Sequence, residues 1–342
     1  MPGFAPLNEQ MDQIRRGAVE IIPEEHLVRK LERSIAKSEP LVIKQGFDPT
    51  RPDLHIGHLV SIRKLRTFQE LGHRVIFLIG DFTALVGDPS GASETRPRLT
   101  EEEAARNAKT YREQIFAVLD PKHTVIERNS SWLGQLKPAD ILTLMSHYTV
   151  ARMLERDDFA KRWKEQSSIS MLEFLYPLLV AYDSVHLKAD VELGGSDQRF
   201  NLLMGRTLME RYGLEPQVAL IMPLLRGLDG ERKMSKSYDN YIAFTETPED
   251  RYGKTMSIPD ALLEEWITLL STTPTTKLGD AIKRAKQEPY LSKRALAADL
   301  VTQFHGAEAA TKAAEHFDKL FKAKEVPVER PAFTHAPGKL SA

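Results

Sequence analysis

Two pairs of nitrogen-bearing side chains have the spacing that phosphate chemistry uses. His55 and His58 lie three residues apart in the stretch HIGH, and Lys233 and Lys236 lie three apart in GERKMSKS. The histidines follow the apolar run 40–47 and begin a helical pattern, so their N–H groups add to the positive end of a helix dipole. The lysines stand in a loop with glycine and serine on its flanks, which predicts a lid that closes over a polyphosphate.

Each motif taken alone also has an ordinary explanation. A histidine pair of this spacing is commonly a helix cap or a pair of metal ligands, and an isolated KxxK is commonly a solvated surface run. No third ligand is spaced near the histidines, so we assign no metal site there. The sequence contains no GxxxxGK[ST], which excludes a P-loop. Gly57, between the histidines, lets a ligand ring or ribose approach the backbone closely.

The elements that must position these groups follow from short apolar runs that alternate with helical patterns. Between the first two runs, apolar residues recur about once per helical turn from Leu59 to Leu71, and Gly72 ends the pattern. This order predicts an α/β fold with a Rossmann-like parallel sheet, right-handed crossovers and a ligand crevice between its two halves. The predicted strands are 40–47, 74–80, 124–127 and 217–222.

The same patterns divide the chain into four predicted parts. The catalytic fold contains a helical insertion at about 138–165, and the region after it has helical periodicity without strand-like runs. The last part is polar and rich in proline. The predicted parts are an N-terminal helical segment (1–36), a Rossmann-like catalytic domain (37–240), an all-helical domain (241–325) and a tail or linker (326–342).

Composition narrows the function classes. The 342-residue chain has 47 Lys and Arg against 48 Asp and Glu, a net charge of -1, so an anionic partner must be held by local clusters. The absence of cysteine excludes a disulfide framework, a cysteine zinc site and a thiolate nucleophile. There is no signal-peptide pattern and no long apolar run. We therefore expect a soluble, cytoplasmic protein with no membrane partner.

Taken together, the two signatures resemble those of the class I aminoacyl-tRNA synthetases. Each string is short, but both occur in this order, one after a first strand and the other after a late one. Further stretches are similar to the bacterial tyrosyl-tRNA synthetases, from about residue 5 to about residue 325. Those stretches are GFDPTRPDLHIGH, GDFTALVGDPSG, YTVARMLERDDFAKR, EFLYPLLVAYDS and DVELGGSDQRFNLLMGR.

The resemblance implies a reaction and its substrates. ATP, with Mg²⁺ carried by the nucleotide, and tyrosine would give tyrosyl-adenylate, and the tyrosyl group would pass to tRNA(Tyr). The substrate carboxylate arrives ionised, so no protein general base is needed. His55, His58, Lys233 and Lys236 would stabilise the pentacoordinate transition state, and Thr50 would add a hydroxyl near the γ-phosphate. The resemblance also implies a homodimer and an anticodon-binding role for the helical domain, and we expect the usual C-terminal RNA-binding module to be lacking.

Two sets of binding residues follow from the same resemblance. Asp197 is expected at the ribose hydroxyls and Asp88 at the substrate ammonium, although Asp48 and Asp88, each followed by proline, also fit simple turns. The expected ATP-binding residues are Asp48, Gly57, Gly195, Asp197, Gln198, Met234 and Ser235. The expected amino-acid-binding residues are Gly46, Thr83, Asp88, Tyr176, Val180, Asp183 and Gln198.

One helical stripe carries the centre of the amino-acid pocket. Tyr176, Val180 and Asp183 stand at i, i+4 and i+7, which places them on one face of a helix. Such a stripe is often core, but a carboxylate on an otherwise apolar helix needs a polar partner. The resemblance implies that Asp183 accepts the phenol hydroxyl and that Tyr176 helps to hold the amino group.

Three positions depart from the family pattern. Val180 stands where a glutamine is usual, Ala84 where a glycine usually follows Thr83, and Ala92 where a basic residue often follows GDPSG. These changes leave open an alternative function, a synthetase paralogue that adenylates tyrosine or a similar amino acid for a non-tRNA acceptor. A non-catalytic nucleotide- or RNA-binding relative is disfavoured, because both transition-state pairs are present.

A basic stretch in the insertion has two interpretations. It would either meet the acceptor stem of tRNA or form a solvated helix face. Its residues are Arg152, Arg156, Lys161, Arg162 and Lys164.

Overall fold

The structure is a computed structural model that describes residues 4–89 and 99–321. Ala92 and the predicted tail 326–342 lie outside the described residues.

A single six-stranded sheet forms the centre of the described chain. Its strand order is β1-β6-β5-β2-β3-β4, and every neighbouring pair is parallel except β1 with β6. The order reverses between β2 and β5, and in such sheets the ligand crevice opens at the carboxyl ends of the strands on either side of that point. The strands are β1 (Glu20–Ile22), β2 (Val42–Phe47), β3 (Arg74–Ile79), β4 (Thr124–Arg128), β5 (Val191–Gly195) and β6 (Val218–Met222).

Helices cover both faces of the sheet and form the whole described chain beyond residue 247, apart from connecting turns. Short helices of the insertion lie between β4 and α10, as the sequence predicts. The helices before β5 are α1 (Leu7–Arg15), α2 (Glu24–Lys37), α3 (Ile56–Glu70), α4 (Thr83–Val86), α5 (Glu101–Ile115), α6 (Ser130–Leu133), α7 (Pro138–Ser146), α8 (Val150–Met153), α9 (Asp157–Lys164) and α10 (Met171–Leu187). Those after β5 are α11 (Arg199–Arg211), α12 (Pro248–Met256), α13 (Leu263–Leu270), α14 (Leu278–Gln287), α15 (Pro289–His305) and α16 (Ala307–Phe321).

The α/β fold class is confirmed, with two additions to the sheet. All four predicted strands form, within two residues of the predicted bounds. The segment 1–36 is not purely helical, because β1 adds an antiparallel edge beside β6. A strand of three half-buried residues is too short to give a periodic signal. β5 was also not predicted from its sequence.

The apolar core has one layer on each side of the sheet. On one side the largest cluster packs α3, α1, α2 and α5 against the strands; on the other, α10 and α11 form a second cluster around Leu78. The largest cluster also contains Leu263, Trp266 and Leu270 of α13, which are almost fully buried. Helices α13, α14 and α15 therefore share a core with the sheet, whereas α12 and α16 form a separate small cluster with α15. No helix in the described ranges is long and apolar enough to cross a membrane.

Candidate active site

The histidine pair begins α3 at the carboxyl end of β2. His55 is the N-cap residue with an extended backbone, and its Nδ1 accepts a hydrogen bond from Gly57 N at 3.2 Å. Nδ1 of His58 lies 3.1 Å from His55 N, and the two ring centroids are 4.1 Å apart. The histidines are therefore a capping pair, one of the ordinary explanations. Because Nδ1 acts as the acceptor inside the cap, we assign the ring proton to Nε2, which leaves an N–H donor for a ligand.

Burial decides the charge of these rings. Desolvation lowers the pKa of His55 to about 2, and a protonated His58 and the charge of Lys236 act in the same direction. Desolvation also lowers the pKa of His58 to about 4. Both imidazoles are neutral at physiological pH. They can stabilise phosphate charge as N–H dipoles, whereas the lysines supply formal positive charge.

The lysine loop folds as a compact hairpin that packs on the start of α3. Gly227 N donates to Arg232 O at 2.9 Å, and Met234 N donates to Leu225 O at 2.7 Å. Met234 is buried, and a Cβ placed on Gly57 would lie 3.6 Å from the Met234 Cβ and 2.8 Å from the His55 ring. Glycine at position 57 thus permits the close approach of the two motifs.

The two lysines are paired with carboxylates on opposite sides of the crevice. Lys236 Nζ lies 3.0 Å from Asp53 Oδ2, in the loop before α3. Lys233 Nζ lies 3.8 Å from Asp197 Oδ2, just beyond the end of β5. Ser235 caps the turn that follows, since Ser237 N donates to its Oγ at 3.3 Å. The ammonium groups therefore bracket the space between the ends of β2 and β5, and Asp53 is a contact that the sequence analysis missed.

Asp48 lies in a hydrogen-bonded position at the end of β2. Its Oδ1 accepts from Thr83 Oγ1 at 2.7 Å, and its Oδ2 accepts from the Tyr176 hydroxyl at 2.8 Å. A Cβ placed on Gly80 would overlap this carboxylate, so glycine is required where β3 ends. Burial raises the pKa of Asp48 to about 7, against the lowering effect of the Thr83 hydrogen bond. Asp48 is thus a site residue as well as a turn residue.

Asp183 is the buried carboxylate at the base of the same pocket. Its side chain accepts from Trp132 Nε1 at 2.8 Å and from Asn129 Nδ2 at 3.2 Å. Burial raises the pKa of Asp183 to about 7, with Lys44 as the largest opposing influence. Each oxygen accepts one of these two bonds, which leaves lone pairs free to accept a ligand hydroxyl. Asn129 and Trp132 precede α10 by about forty residues, so helical spacing gave no signal for them.

The third carboxylate, Asp88, faces the start of α11. Gln198 Nε2 donates to Asp88 Oδ2 at 2.8 Å, and Asn201 Nδ2 donates to Gln198 Oε1 at 2.7 Å. The guanidinium of Arg156 lies 3.6 Å from Asp88 Oδ1. Asp88 and Gln198 are both predicted site residues. They are far apart in the sequence but in direct contact in the structure. Gly195 ends β5 immediately before this turn.

Three further predicted residues lie between these groups. A Cβ placed on Gly46 would meet its first neighbour, Leu78, only at 4.0 Å, so the pocket is open over this part of the sheet. Val180 is half-buried on α10. Thr50 is exposed at the rim, where its backbone N–H donates to Asp48 O at 2.7 Å.

The basic stretch of the insertion is not one surface. Arg156 and Arg162 are 6% and 2% exposed, and they pair with Asp158 at 2.7 Å and with Glu173 at 2.6 Å. Neither interpretation of the stretch holds for these two residues, because their charge is neutralised inside the protein. Arg152, Lys161 and Lys164 are exposed. Across residues 4–89 and 99–321, no three His, Asp or Glu side chains are grouped so that they could hold a metal ion.

A histidine pair and a lysine loop that meet at the switch point of a parallel sheet define the class of protein. The chain belongs to the class I tRNA synthetase family of the W and Y type, whose family model matches residues 36–322.

Within this family the chain is similar to tyrosine–tRNA ligases. It is 52% identical to that of Carboxydothermus hydrogenoformans over 98% of this chain and 82% of the relative. It is 53% identical to that of Thermotoga maritima over 94% of this chain and 80% of the relative.

Solved structures agree in fold. The tyrosyl-tRNA synthetase of Archaeoglobus fulgidus, complexed with L-tyrosine, superposes with a TM-score of 0.71 at 26% identity, covering 91% of this chain and all of that one. A C-terminally truncated mitochondrial enzyme of Aspergillus nidulans superposes with a TM-score of 0.75 at 22% identity, covering 91% of this chain and 94% of that one. The second likeness concerns the fold alone.

Proposed function

We propose that this chain is a tyrosine–tRNA ligase, which activates tyrosine with ATP and transfers it to tRNA(Tyr). The observation that supports this best is the juxtaposition of three features at one crevice. The capping histidines, the paired lysines and a pocket floored by Asp183 all meet at the carboxyl ends of β2 and β5.

Tyrosine would bind along α10. Asp183 is already fixed by two donors, so it can accept the phenol hydroxyl without reorganising. At the other end, Asp88 and Asp48 carry the negative charge that attracts the substrate ammonium, and Tyr176 and Gln198 hold those carboxylates in place. Val180 offers an apolar contact on the same face. This arrangement fixes the substrate carboxylate near the phosphate groups of ATP.

Activation requires charge stabilisation and positioning. The tyrosine carboxylate attacks the α-phosphorus, the P–O bond to pyrophosphate breaks, and a mixed anhydride forms. Lys233 and Lys236 would exchange their carboxylate partners for phosphate oxygens. The Nε2–H groups of His55 and His58 would donate to oxygens bound to the α-phosphorus in the transition state. The Thr50 hydroxyl, at the rim, would donate a hydrogen bond near the γ-phosphate. We propose that Gly57, Met234 and Ser235 contact the adenine base of the nucleotide and that Gly195 lies beside them. Asp197 would accept hydrogen bonds from the ribose hydroxyls.

Mg²⁺ would enter with the nucleotide. Carboxylate and phosphate oxygens are its preferred ligands, and the described residues offer no three-carboxylate cage. The metal would therefore be held mainly by phosphate oxygens, where it neutralises part of their charge.

The second step uses the same crevice. A hydroxyl of the terminal tRNA ribose attacks the activated carbonyl, and AMP leaves. We propose the catalytic role for residues 37–240 and an anticodon-binding role for the helical region 241–325.

We also propose a homodimer formed through the insertion. Four large apolar side chains there and at the start of α10 are more than half exposed, which is the character of an interface. They are Leu142, Val150, Trp163 and Met171.

Pyrophosphate exchange followed by tRNA charging tests the proposal. We expect exchange that depends on tyrosine and far less on phenylalanine, and charging of tRNA(Tyr). Lys233→Ala should lower the exchange rate with little effect on tyrosine binding. Lys283→Ala is the matched control, because Lys283 is 80% exposed on α14. Tyrosine-dependent exchange without any charging would contradict the ligase assignment and favour a paralogue with a non-tRNA acceptor.

A further inference from the structure

A buried ion pair lies in the middle of the sheet and has no part in the mechanism above. Lys44 of β2 and Glu192 of β5 are partners in the strand register, and their side chains are 0% and 3% exposed. Lys44 Nζ lies 2.8 Å from Glu192 Oε1. Removing two charges from water is costly, and well-packed apolar residues often serve stability better. The pair therefore calls for a role other than stability.

Glu192 is fixed from several elements. Ser184 Oγ of α10 donates to Glu192 Oε2 at 3.1 Å, and Gln217 Nε2, just before β6, donates to the same oxygen. A Cβ placed on Gly205 of α11 would lie 2.6 Å from Gln217 Nε2, so glycine lets that helix approach the cluster. Glu192 thus acts as a rigid anchor for the Lys44 ammonium.

The anchored ammonium lies beneath the amino-acid pocket. Alternate residues of a strand share a face, so Lys44 lies on the same face of β2 as Gly46, over which the pocket is open. Ser184, which bonds to Glu192, directly follows Asp183 on α10. The contact between Lys44 and Glu192 lacks hydrogen-bond geometry, and Lys44 Nζ has no hydrogen-bond partner among the described residues. The Lys44 ammonium is therefore held by its charge and not by directed hydrogen bonds.

We propose that Lys44, anchored by Glu192, is a positioning residue that favours the ionised form of Asp183 and thereby helps the pocket to select an amino acid with a phenol hydroxyl. This inference rests on the proposed function, because it assigns Asp183 to the phenol. Two residues would then determine specificity: Asp183 contacts the phenol hydroxyl, and Lys44 influences the charge of the Asp183 carboxyl group.

The charges around Asp183 show why a cation is needed. Burial raises the pKa of Asp183 and Glu192 acts in the same direction, so the pKa is about 7 even though Lys44 opposes them. The charge of Asp183 in turn raises the pKa of Asp48. Trp132 and Asn129 donate neutral hydrogen bonds. His186, on the same helix, stacks on Trp132 at 4.3 Å, and burial lowers its pKa, so it is neutral.

Lys44 lowers the pKa of Asp183 and opposes these influences. Without this cation the pKa of Asp183 would rise further, so more of the protein would carry the neutral acid at physiological pH, and the neutral acid would be a weaker acceptor for the phenol.

The test is the pH profile of kcat/KM for tyrosine in pyrophosphate exchange, together with the ratio of tyrosine to phenylalanine binding measured by calorimetry. For Lys44→Met we expect the acid limb of the profile to move to higher pH by about one unit, and the binding ratio to fall about tenfold. Lys44→Arg should retain the wild-type pH profile and the wild-type binding ratio. Glu192→Gln removes a negative charge and should move the acid limb to lower pH. The opposite signs of these two shifts separate an electrostatic role from a structural one.

A second buried lysine provides the matched control. Lys30 of α2 is 1% exposed and pairs with Asp190 at 2.9 Å, outside the pocket. Lys30→Met should lower stability but leave the pH profile and the binding ratio unchanged. If Lys44→Met fails to fold, the double variant Lys44→Met/Glu192→Leu removes both buried charges and is expected to show a lower binding ratio than the wild type.

Two results would overturn the proposal. One is a folded Lys44→Met or double variant with the wild-type profile and ratio, and the other is an equal change in Lys30→Met. The calorimetric ratio does not depend on activation, so it still tests Lys44 if the wild type binds tyrosine but fails to catalyse exchange. In that case the proposed function fails separately.

Discussion

Replacing His55 should separate its two roles, the helix cap and the phosphate donor. His55 Nδ1 accepts the Gly57 N–H at 3.2 Å, and its Nε2–H is left for the nucleotide. Asparagine can cap a helix as well but is too short to replace Nε2–H, whereas alanine can do neither. His55→Ala should therefore lose about 1 kcal/mol of unfolding free energy, and His55→Asn should lose much less. Both should lower the activation rate by roughly 10² to 10³, the usual effect of one preorganised transition-state donor.

Two measurements check this expectation. Chemical denaturation gives the stability of each variant, and single-turnover formation of tyrosyl-adenylate at saturating substrates gives the rate. His123→Asn is the matched control, since His123 is 67% exposed and pairs only with Asp120 at 3.0 Å among the contacts described for it. The control should change neither quantity by a measurable amount.

The charge of His55 gives an independent check. Its pKa is lowered to about 2, so the imidazole is neutral and does not titrate in the range where free histidine does. In the NMR spectrum of labelled histidines, the signal that disappears in His55→Asn should not shift between roughly pH 5 and pH 9. A signal that titrates near the ordinary histidine pKa, or a His55→Asn variant that activates tyrosine at the wild-type rate, would refute the reasoning.

Three further predictions concern single contacts. Asp183→Asn should lower kcat/KM for tyrosine by more than tenfold and that for phenylalanine very little, because a hydrogen bond to a charged acceptor is worth about 1.5–3 kcal/mol; equal losses would contradict the assignment. Asp53→Asn should lower the KM for ATP by up to about fivefold, because it frees Lys236 from a half-exposed pair, while an unchanged KM would show that the pair does not compete with phosphate. Gly80→Ala should cost about 1–3 kcal/mol in denaturant unfolding, since the new Cβ overlaps the Asp48 carboxylate; wild-type stability would mean that the site relaxes easily.

The four predicted strands each contain neighbouring apolar residues. β6 is a run of five buried apolar residues, and β3 has five buried apolar residues after its exposed Arg74, so hydrophobicity alone identifies both. β5 was missed although it is central, because one of its five residues, Glu192, is charged and two are glycines. β2 carries the other member of the ion pair, Lys44, but it was predicted because the apolar residues 41–43 precede that lysine.

The site shows the same division between local and spatial information. The histidine and lysine pairs were predicted because each lies within four residues of sequence, and the capping alternative proved to be part of the answer. Asn129, Trp132 and Lys44 were missed because their link to Asp183 exists only in space. Arg156 and Arg162 were placed on a surface because basic residues are usually exposed, yet buried carboxylate partners hold both inside.

Helix α13 is hydrogen-bonded to Arg226, at the base of the lysine loop. Arg226 donates from its backbone N and its Nε to the Glu265 carboxylate at 3.0 and 2.7 Å, and its carbonyl accepts from Trp266 Nε1 at 3.2 Å. A fragment that ends at residue 240 would therefore lose the part of the largest apolar cluster that α13 contributes. It would also lose the hydrogen bonds that hold Arg226 at the base of the lysine loop. Because Arg226 is bonded to Glu265 and Trp266 of α13, a displacement of α13 would also displace the loop that carries Lys233 and Lys236.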